Sequence, residues 1–316
     1  METNNNASAH SKRWGVIYSS RAGSINSHKR WLAMQQYMER RGVEYDFVQS
    51  EGSGSVERLT RMLCNNHYST IIVVGNDAAL NEALNGVFKS KDELTDDFAF
   101  GLIPNGIGND FARFWDVDVD DYKKTIDRMI QRHTRTIDVG VCTFTDEDNV
   151  PSKHYFLNCV NIGLGARLID ITDKFTRLIG SKRLSVMATG IANIFERKSF
   201  DVQLKADTED INNQVMSICI GNCHGYGQTP NSVPYNGMLD LSIVTRPQWW
   251  QLFEGFWLLG KGKFLNYTNV HPYRVQKVVV TDKGKAKVSV DGCILDAKKL
   301  TPMRIEIIPD ALEYIV

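Results

Sequence analysis

Two glycine-containing loops hold the residues whose types and spacing could bind phosphate. The apolar run 71–74 leads into the first loop, Gly75-Asn76-Asp77-Ala78, and the run 98–103 leads into the second loop, 104–110. In each, glycine separates a predicted strand from a predicted helix, so backbone N–H groups lie at the carboxyl end of a strand, where phosphates bind. A plain tight turn also fits the glycine spacing alone. Because the loops are close in sequence, we expect neighbouring strands and one shared ligand crevice.

The sequence of these loops resembles the diacylglycerol kinase-type lipid kinases, a family that includes sphingosine kinase. The first loop is similar to the family signature GGDGTxNE, and the second is similar to PxGTxNDFAR. The matching positions are Asp77, Asn81, Glu82, Pro104, Gly106, Asn109, Asp110, Phe111, Ala112 and Arg113. The resemblance implies ATP as the phosphoryl donor, with Mg²⁺, and a lipid hydroxyl as the acceptor.

The resemblance also implies which residues contact the nucleotide. They are Gly75, Asn76, Asp77, Ala78, Gly106 and Asn109, with Ser19, Ser20 and Arg21, which stand where the family has its NPxSG motif. From local sequence alone Asp77 is a helix N-cap, whereas the resemblance favours a place beside the metal-bound nucleotide. The loops depart from the family because Asn76 adds bulk, while Ala79 and Ile107 lack a hydroxyl group.

A candidate metal site lies in the second half of the chain. The segment Gly221–Gly227 resembles the family's GN-xx-YGGG stretch, and it leads into 234–240, which resembles DDGLLD, a site implied to hold a structural Mg²⁺. Asp240 is retained there, but Asn236 replaces the earlier carboxylate, so Mg²⁺ is expected to bind more weakly. A hairpin turn at Asn236-Gly237 is the alternative, and it needs no metal.

A candidate catalytic base lies near the C-terminus. The segment Val290–Cys293 resembles the family's VDGE, whose Glu is implied to be the general base. Asp291 matches, but Cys293 replaces the base, and a free thiol with a pKa of about 8.5 is a poor substitute for a carboxylate. Proton removal would then fall to Asp291 or to a water that it orients. An Asp-Gly hairpin turn without a catalytic role is the alternative.

Composition excludes several classes of protein. The 316 residues carry 37 basic and 37 acidic side chains, so no global charge favours nucleic acid as a partner. The six cysteines form no CxxC pair, which is typical of reduced, buried cysteines in a cytoplasmic protein. No stretch is long enough to span a membrane. A lipid substrate must therefore be met from the aqueous side, by transient peripheral contact.

Hydrophobic periodicity predicts two domains after a disordered tail at 1–11. Strands alternate with helices over 12–135, which predicts an α/β domain with a mostly parallel, three-layer sheet. Strand-like runs dominate 136–302, among them Tyr155–Ile162 and Val275–Thr281, and they predict a β-rich sandwich or barrel interrupted by helices at about 166–197 and 248–260. The resemblance implies that the final strand, within about 303–316, returns to the first domain.

The segment 248–259 is rich in tryptophan and apolar around most of a helix. Burial in the core or in a homodimer contact is the default interpretation. The alternative is a surface that rests in the membrane interface, followed by Lys261 and Lys263 for anionic headgroups.

The sequence therefore predicts an ATP-dependent lipid kinase that acts on diacylglycerol, a sphingoid base or a related lipid alcohol. The alternative is a catalytically weak or inactive regulator of the same fold that binds nucleotide or lipid, which the changes at Ala79, Asn236 and Cys293 favour. NAD kinase shares the glycine-Asp loop and ranks last, because the segment 104–113 resembles the lipid kinases far more closely.

Overall fold

The computed structural model describes residues 13–19, 25–52, 54–106, 108–145, 150–167, 199–248, 250–295 and 300–316. The chain divides into two compact units, one that ends at Ile137 and resumes at Asp310, and one from Asp138 to Pro309. The boundaries expected from the sequence were 135 and about 303. Most of the helix expected at 166–197, the tail at 1–11, and the candidates Ser20 and Arg21 lie outside the described residues.

The first unit is built on a parallel sheet. Its strands are β1 (Trp14–Tyr18), β2 (Tyr45–Gln49), β3 (Thr70–Gly75) and β4 (Ala99–Pro104), with the end of β15 (Met303–Ile315). They lie in the order β2-β1-β3-β4-β15 and every neighbouring pair is parallel. The pairing of Tyr314 with Phe100 confirms the predicted return of the last strand.

Helices cover both faces of this sheet, as predicted. They are α1 (Ile25–Arg40), α2 (Ser55–Asn65), α3 (Asp77–Lys89), α4 (Asp110–Phe114) and α5 (Tyr122–Gln131). β3 is buried along its whole length, which requires cover on both sides because successive side chains point to opposite faces. On one face Ile72 and Val74 pack with residues of α1 and α5, such as Met34 and Met129.

The second unit is rich in antiparallel strands, as predicted. They are β5 (Thr134–Thr145), β6 (Pro151–Phe156), β7 (Cys159–Gly163), β8 (Phe200–Ala206), β9 (Glu209–Gly221), β10 (Leu239–Thr245), β11 (Val270–Val275), β12 (Lys277–Asp282), β13 (Val288–Val290), β14 (Cys293–Ile294) and the start of β15. β9 is the centre: its first half pairs with β8 and its second half with both β7 and β10.

Three sequence predictions for this unit were wrong in detail. The run Tyr155–Ile162 was predicted as one strand, but it is divided between β6 and β7, because the backbone turns away from the sheet at Leu157 and Asn158. The run Val275–Thr281 likewise belongs to two strands, β11 and β12. The tryptophan-rich helix, α6, is shorter than predicted and spans Gln251–Gly260. In the described part of the chain, no helix is long and apolar enough to cross a bilayer.

Candidate nucleotide and acceptor sites

The two glycine loops of the first unit lie side by side. Gly75 pairs with Pro104 at the carboxyl ends of β3 and β4, and Asn105 N–H donates to the Gly75 carbonyl at 2.8 Å. The expectation of neighbouring strands with adjacent loops is therefore confirmed. Parallel strands leave backbone donors at this edge of the sheet, where α/β proteins bind their ligands.

Asp77 fastens one loop to the other. It is the first residue of α3, and its own N–H donates to the Gly108 carbonyl at 2.9 Å. Its carboxylate accepts from Asp110 N–H at 2.7 Å and from Phe111 N–H at 3.3 Å, so it caps α4 rather than its own helix. The N-cap of α3 is Asn76, whose Oδ1 accepts from Ala79 N–H at 3.2 Å. The interpretation of Asp77 as the N-cap of its own helix was wrong.

Close packing at the first loop requires glycine at position 75. A Cβ there would lie 2.9 Å from the Cβ of Ala79 and 3.1 Å from that of Ser19. Ser19, which is buried, directly follows β1 and donates its N–H to the Val74 carbonyl at 2.9 Å. The structure therefore brings Ser19, Gly75 and Asn76 to one place at the edge of the sheet. Asn76 has extended backbone angles, so its side chain causes no strain.

The second loop contains two buried amide groups with an open acceptor. Asn105 donates its Nδ2 to the Ser27 carbonyl and Asn109 to the Gly106 carbonyl, both at 3.1 Å. Among the described residues no donor reaches Oδ1 of either side chain, although Asn105 is 0% and Asn109 is 3% exposed. An unfilled buried acceptor suits a ligand N–H or O–H, such as an adenine amino or a ribose hydroxyl group. The first unit therefore fits a nucleotide, and Asn105 is a candidate that sequence reasoning missed.

Asp291 belongs to a tight hairpin in the second unit. Asp291 and Gly292 join β13 to β14 with φ of 45° and 84°, as a two-residue turn between antiparallel strands demands. The Asp291 carboxylate accepts from three consecutive backbone N–H groups, those of Leu157, Asn158 and Cys159, at 2.8, 2.9 and 2.8 Å. These bonds turn the chain between β6 and β7, so Asp291 holds the local backbone. A catalytic role for Asp291 stays a prediction.

The Gly221–Gly227 segment is fixed to this turn through Asn158. Asn158 Oδ1 accepts from Gly225 N–H at 2.8 Å, and the Asn158 carbonyl accepts from the N–H groups of Asn222 and Cys223. Sequence reasoning missed Asn158, because nothing near it in sequence marks it as a link. Cys293 pairs with Val290 and is partly exposed.

An apolar cavity of about 180 Å³ lies in the second unit. Its walls include Met216, Val244, Leu252, Leu259, Phe264 and Tyr267, with the polar side chains of Asn161, Ser217, Tyr226 and Gln228. Tyr226 also lies beside the Asp-Gly hairpin, since a Cβ added to Gly292 would be 3.2 Å from its hydroxyl. Burial, and secondarily Glu254, raises the pKa of Tyr267 to about 12, so its phenol stays neutral. The cavity suits an apolar chain with a polar group at the Tyr226 side.

The predicted metal ligands do not form a magnesium cage. Asp240 accepts from Arg274 Nε at 2.9 Å, and Asn236 Oδ1 accepts from Met238 N–H at 3.0 Å. The described residues contain no group of three or more His, Cys, Asp or Glu that could hold a metal. Both predicted ligands have hydrogen-bond partners within the protein, and a metal role for Asp240 and Asn236 stays a prediction. The alternative expectation, a hairpin turn at Asn236-Gly237, was wrong, because only the residues after this turn form a strand.

The comparisons with known proteins agree with this architecture. Residues 13–142 match the family model for the diacylglycerol kinase catalytic domain, and residues 158–316 match the YegS C-terminal NAD kinase beta sandwich-like domain. A Bacillus subtilis diacylglycerol kinase is 23% identical over 289 residues, which cover 89% of each chain. A Staphylococcus saprophyticus diacylglycerol kinase is 22% identical over 289 residues, 89% of this chain and 88% of that protein.

Solved structures extend the likeness to the fold. A diacylglycerol kinase from Bacillus anthracis superposes with a TM-score of 0.66 at 16% identity, covering 96% of both chains. Yeast NADH kinase complexed with NADH superposes with a TM-score of 0.53 at 8% identity, covering 96% of this chain and 83% of the other. The α/β unit, the β-rich unit and the family matches over both halves place this chain in the diacylglycerol kinase-type lipid kinase family.

Proposed function

We propose that this protein is an ATP-dependent lipid kinase that transfers the γ-phosphoryl group to the hydroxyl of a diacylglycerol-like lipid or a sphingoid base. The observation that carries the lipid acceptor is the apolar cavity of about 180 Å³, whose Tyr226 wall touches the Asp-Gly hairpin. A long acyl or alkyl chain buries apolar surface in such a cavity, and its polar end lies at the polar wall. The resemblance of 104–113 to the lipid kinases supports the donor side.

In the proposed reaction the acceptor hydroxyl oxygen bonds to the γ-phosphorus, and the bond from that phosphorus to the bridging oxygen breaks. ADP leaves, and the hydroxyl proton passes to water. Catalysis of this kind depends mainly on positioning and on charge stabilisation. The paired loops of the first unit would position the nucleotide, with Asn105 and Asn109 accepting from its base or ribose. Mg²⁺ enters the proposal only as the counter-ion of ATP.

The weak or inactive regulator remains the second candidate, and three observations favour it. The Asp291 carboxylate is occupied by three backbone N–H groups. Cys293 offers a thiol at the position of the implied base. Asn76 Oδ1 accepts a hydrogen bond from the Ala79 N–H at the start of α3, and this N–H is one of the donors that a phosphate would use.

An assay with radiolabelled ATP and a total lipid extract separates the two candidates. The kinase predicts a labelled lipid whose mass exceeds that of its parent by one phosphate, and the regulator predicts none. Calorimetric titration with ATP is run in parallel. Nucleotide binding without any labelled lipid would support the regulator, and absence of both would contradict the kinase and any regulator that binds nucleotide. Asp77→Ala is the control, since loss of the α4 cap should weaken ATP binding.

A further inference from the structure

Helix α6, together with Trp250 just before it, presents an aromatic stripe to solvent. Trp250, Phe253 and Trp257 are 56%, 56% and 62% exposed, and their spacing of three and four residues puts them on one side of the helix. Large aromatic side chains are seldom exposed as a contiguous group on a monomeric surface, and such groups mark interaction sites. Burial of the stripe in the core of the chain was therefore a wrong expectation, whereas its burial in a homodimer contact stays a prediction.

The opposite side of the same helix lines the apolar cavity. Leu252, Gly255 and Leu259 are wall residues, and they lie three and four positions apart, away from the aromatic stripe. One helix thus separates the cavity from the exposed aromatic rings. Gly255 permits a close contact, because a Cβ there would be 3.0 Å from the Tyr267 ring. The exposed stripe and the acceptor cavity are therefore two faces of one element.

Basic side chains lie at both ends of the stripe. Arg246 precedes the helix, and Lys261 and Lys263 follow it; all three are exposed. The only acidic residue of α6 is Glu254. Aromatic rings flanked by cationic side chains are typical of a surface that enters the headgroup region of an anionic bilayer. In a dimer formed through the stripe, the basic groups of the two copies would lie close together, and their like charges would repel each other.

We propose that the aromatic stripe of α6 is a membrane-docking surface for anionic bilayers. The rings of Trp250, Phe253 and Trp257 lie at the boundary between headgroups and acyl chains, and the flanking basic side chains contact lipid phosphates. Docking brings the wall of the cavity next to the bilayer that contains the acceptor lipid. The link to the acceptor rests on the proposed function, whereas docking itself requires no phosphoryl transfer.

Co-sedimentation with sucrose-loaded vesicles, without ATP, tests the proposal. The vesicles consist of phosphatidylcholine with or without phosphatidylglycerol. Phe253→Ala with Trp257→Ala is expected to lower the partition coefficient by at least about tenfold, because both rings lose their burial in the membrane. Lys261→Gln with Lys263→Gln is expected to cost about fivefold per lysine and to remove the preference for phosphatidylglycerol. The matched control is Leu32→Ala with Met62→Ala, which removes exposed apolar side chains of the first unit and should change nothing.

The remaining outcomes would overturn docking, assign the stripe to a second copy or overturn the kinase proposal. A parent protein that does not partition, or an aromatic variant that partitions like the control variant, would overturn docking, provided that thermal unfolding shows the variants folded. Sedimentation velocity could instead reveal a dimer that the aromatic substitutions dissociate. If that dimer did not bind vesicles, the stripe would be assigned to contact with a second copy. A protein that docks but phosphorylates no lipid would leave docking intact and overturn the kinase proposal.

Discussion

Asp291 joins the hairpin between β13 and β14 to the turn before β7 through three hydrogen bonds from backbone N–H groups. Asn also tolerates a positive φ, so Asp291→Asn alters the charge and one acceptor while it keeps the turn. We expect a loss of about 1–3 kcal/mol in the free energy of unfolding, since one buried N–H would face an amide NH₂. Urea unfolding measures this loss.

Asp207 provides the matched control for Asp291. It also has a positive φ, and its carboxylate accepts from Gln276 and Lys277 N–H groups, but it is exposed. Water can replace the lost acceptor there, so Asp207→Asn should cost less than about 1 kcal/mol. Equal losses of unfolding free energy for the two variants would show that burial of the Asp291 carboxylate adds nothing to its contribution to stability.

Cys293 determines whether the hairpin can supply a base. If the protein transfers phosphate, Cys293→Glu should raise turnover, because general-base catalysis contributes about 10²–10⁴-fold. Cys293→Gln has the same size without the carboxylate, and it should leave turnover at the parent level. Initial rates at saturating ATP and lipid measure both variants. An equal rise in the turnover of both variants would assign the effect to side-chain volume. No rise in either variant would mean that the general base does not act from position 293.

At the scale of elements, the glycine loops were predictable because their signals are local. A strand, a glycine and a helix start follow each other within a few residues in both loops. The division between β6 and β7 was not predictable, since the carboxylate that causes it is 134 residues from Leu157 in sequence. The same holds for Asp77, which caps a helix that begins 33 residues later. Local patterns therefore predicted the strands and helices themselves. Hydrogen bonds from side chains that are distant in sequence determine where these elements begin and end.

The packing of α2 against α3 depends on Gly86. A Cβ at this position would lie 2.7 Å from the Glu57 carbonyl oxygen and 2.7 Å from Cβ of Thr60. Ala is normally favoured over Gly within a helix, by about 0.5–1 kcal/mol. Here we expect Gly86→Ala to destabilise the protein by about 1–3 kcal/mol, because the two helices must separate. Thermal or urea unfolding measures the change.

The control is the same substitution at Gly260, the last residue of α6. Nothing lies within 4 Å of a Cβ added there, and its φ is not positive. Gly260→Ala should therefore leave stability unchanged or raise it slightly. A stabilising Gly86→Ala would mean that the two helices separate without cost.

At the scale of the whole molecule, the chain returns to its first unit at the end. Residues 310–316 complete the parallel sheet beside β4. Periodicity identified a strand near the C-terminus but not its partner, because strand pairing over 200 residues leaves no local signal. Only the resemblance to a known family supplied that prediction. The exposed side of α6 was likewise ambiguous, since an apolar helix has the same sequence pattern whether a core or a bilayer covers it.

This returning strand supports the candidate nucleotide loops. Tyr314, which is 2% exposed, packs edge-on against Phe111 at 5.3 Å and stacks on Trp115 at 5.8 Å between ring centroids. Phe111 donates its N–H to Asp77, so the last strand contacts the very turn that joins the two loops. The end of the chain therefore helps to hold a site that begins at Gly75.

Tyr314→Ala should loosen this turn without touching a nucleotide directly. Removing a buried aromatic side chain costs about 3–5 kcal/mol of stability, and the freed space lets α4 move. Amide hydrogen exchange over residues 109–115 should accelerate more than exchange in the second unit, and ATP affinity should fall in calorimetric titration. Tyr314→Phe keeps the ring and should preserve both properties better. A folded Tyr314→Ala variant with unchanged exchange at 109–115 would show that the loops are held by Asp77 alone.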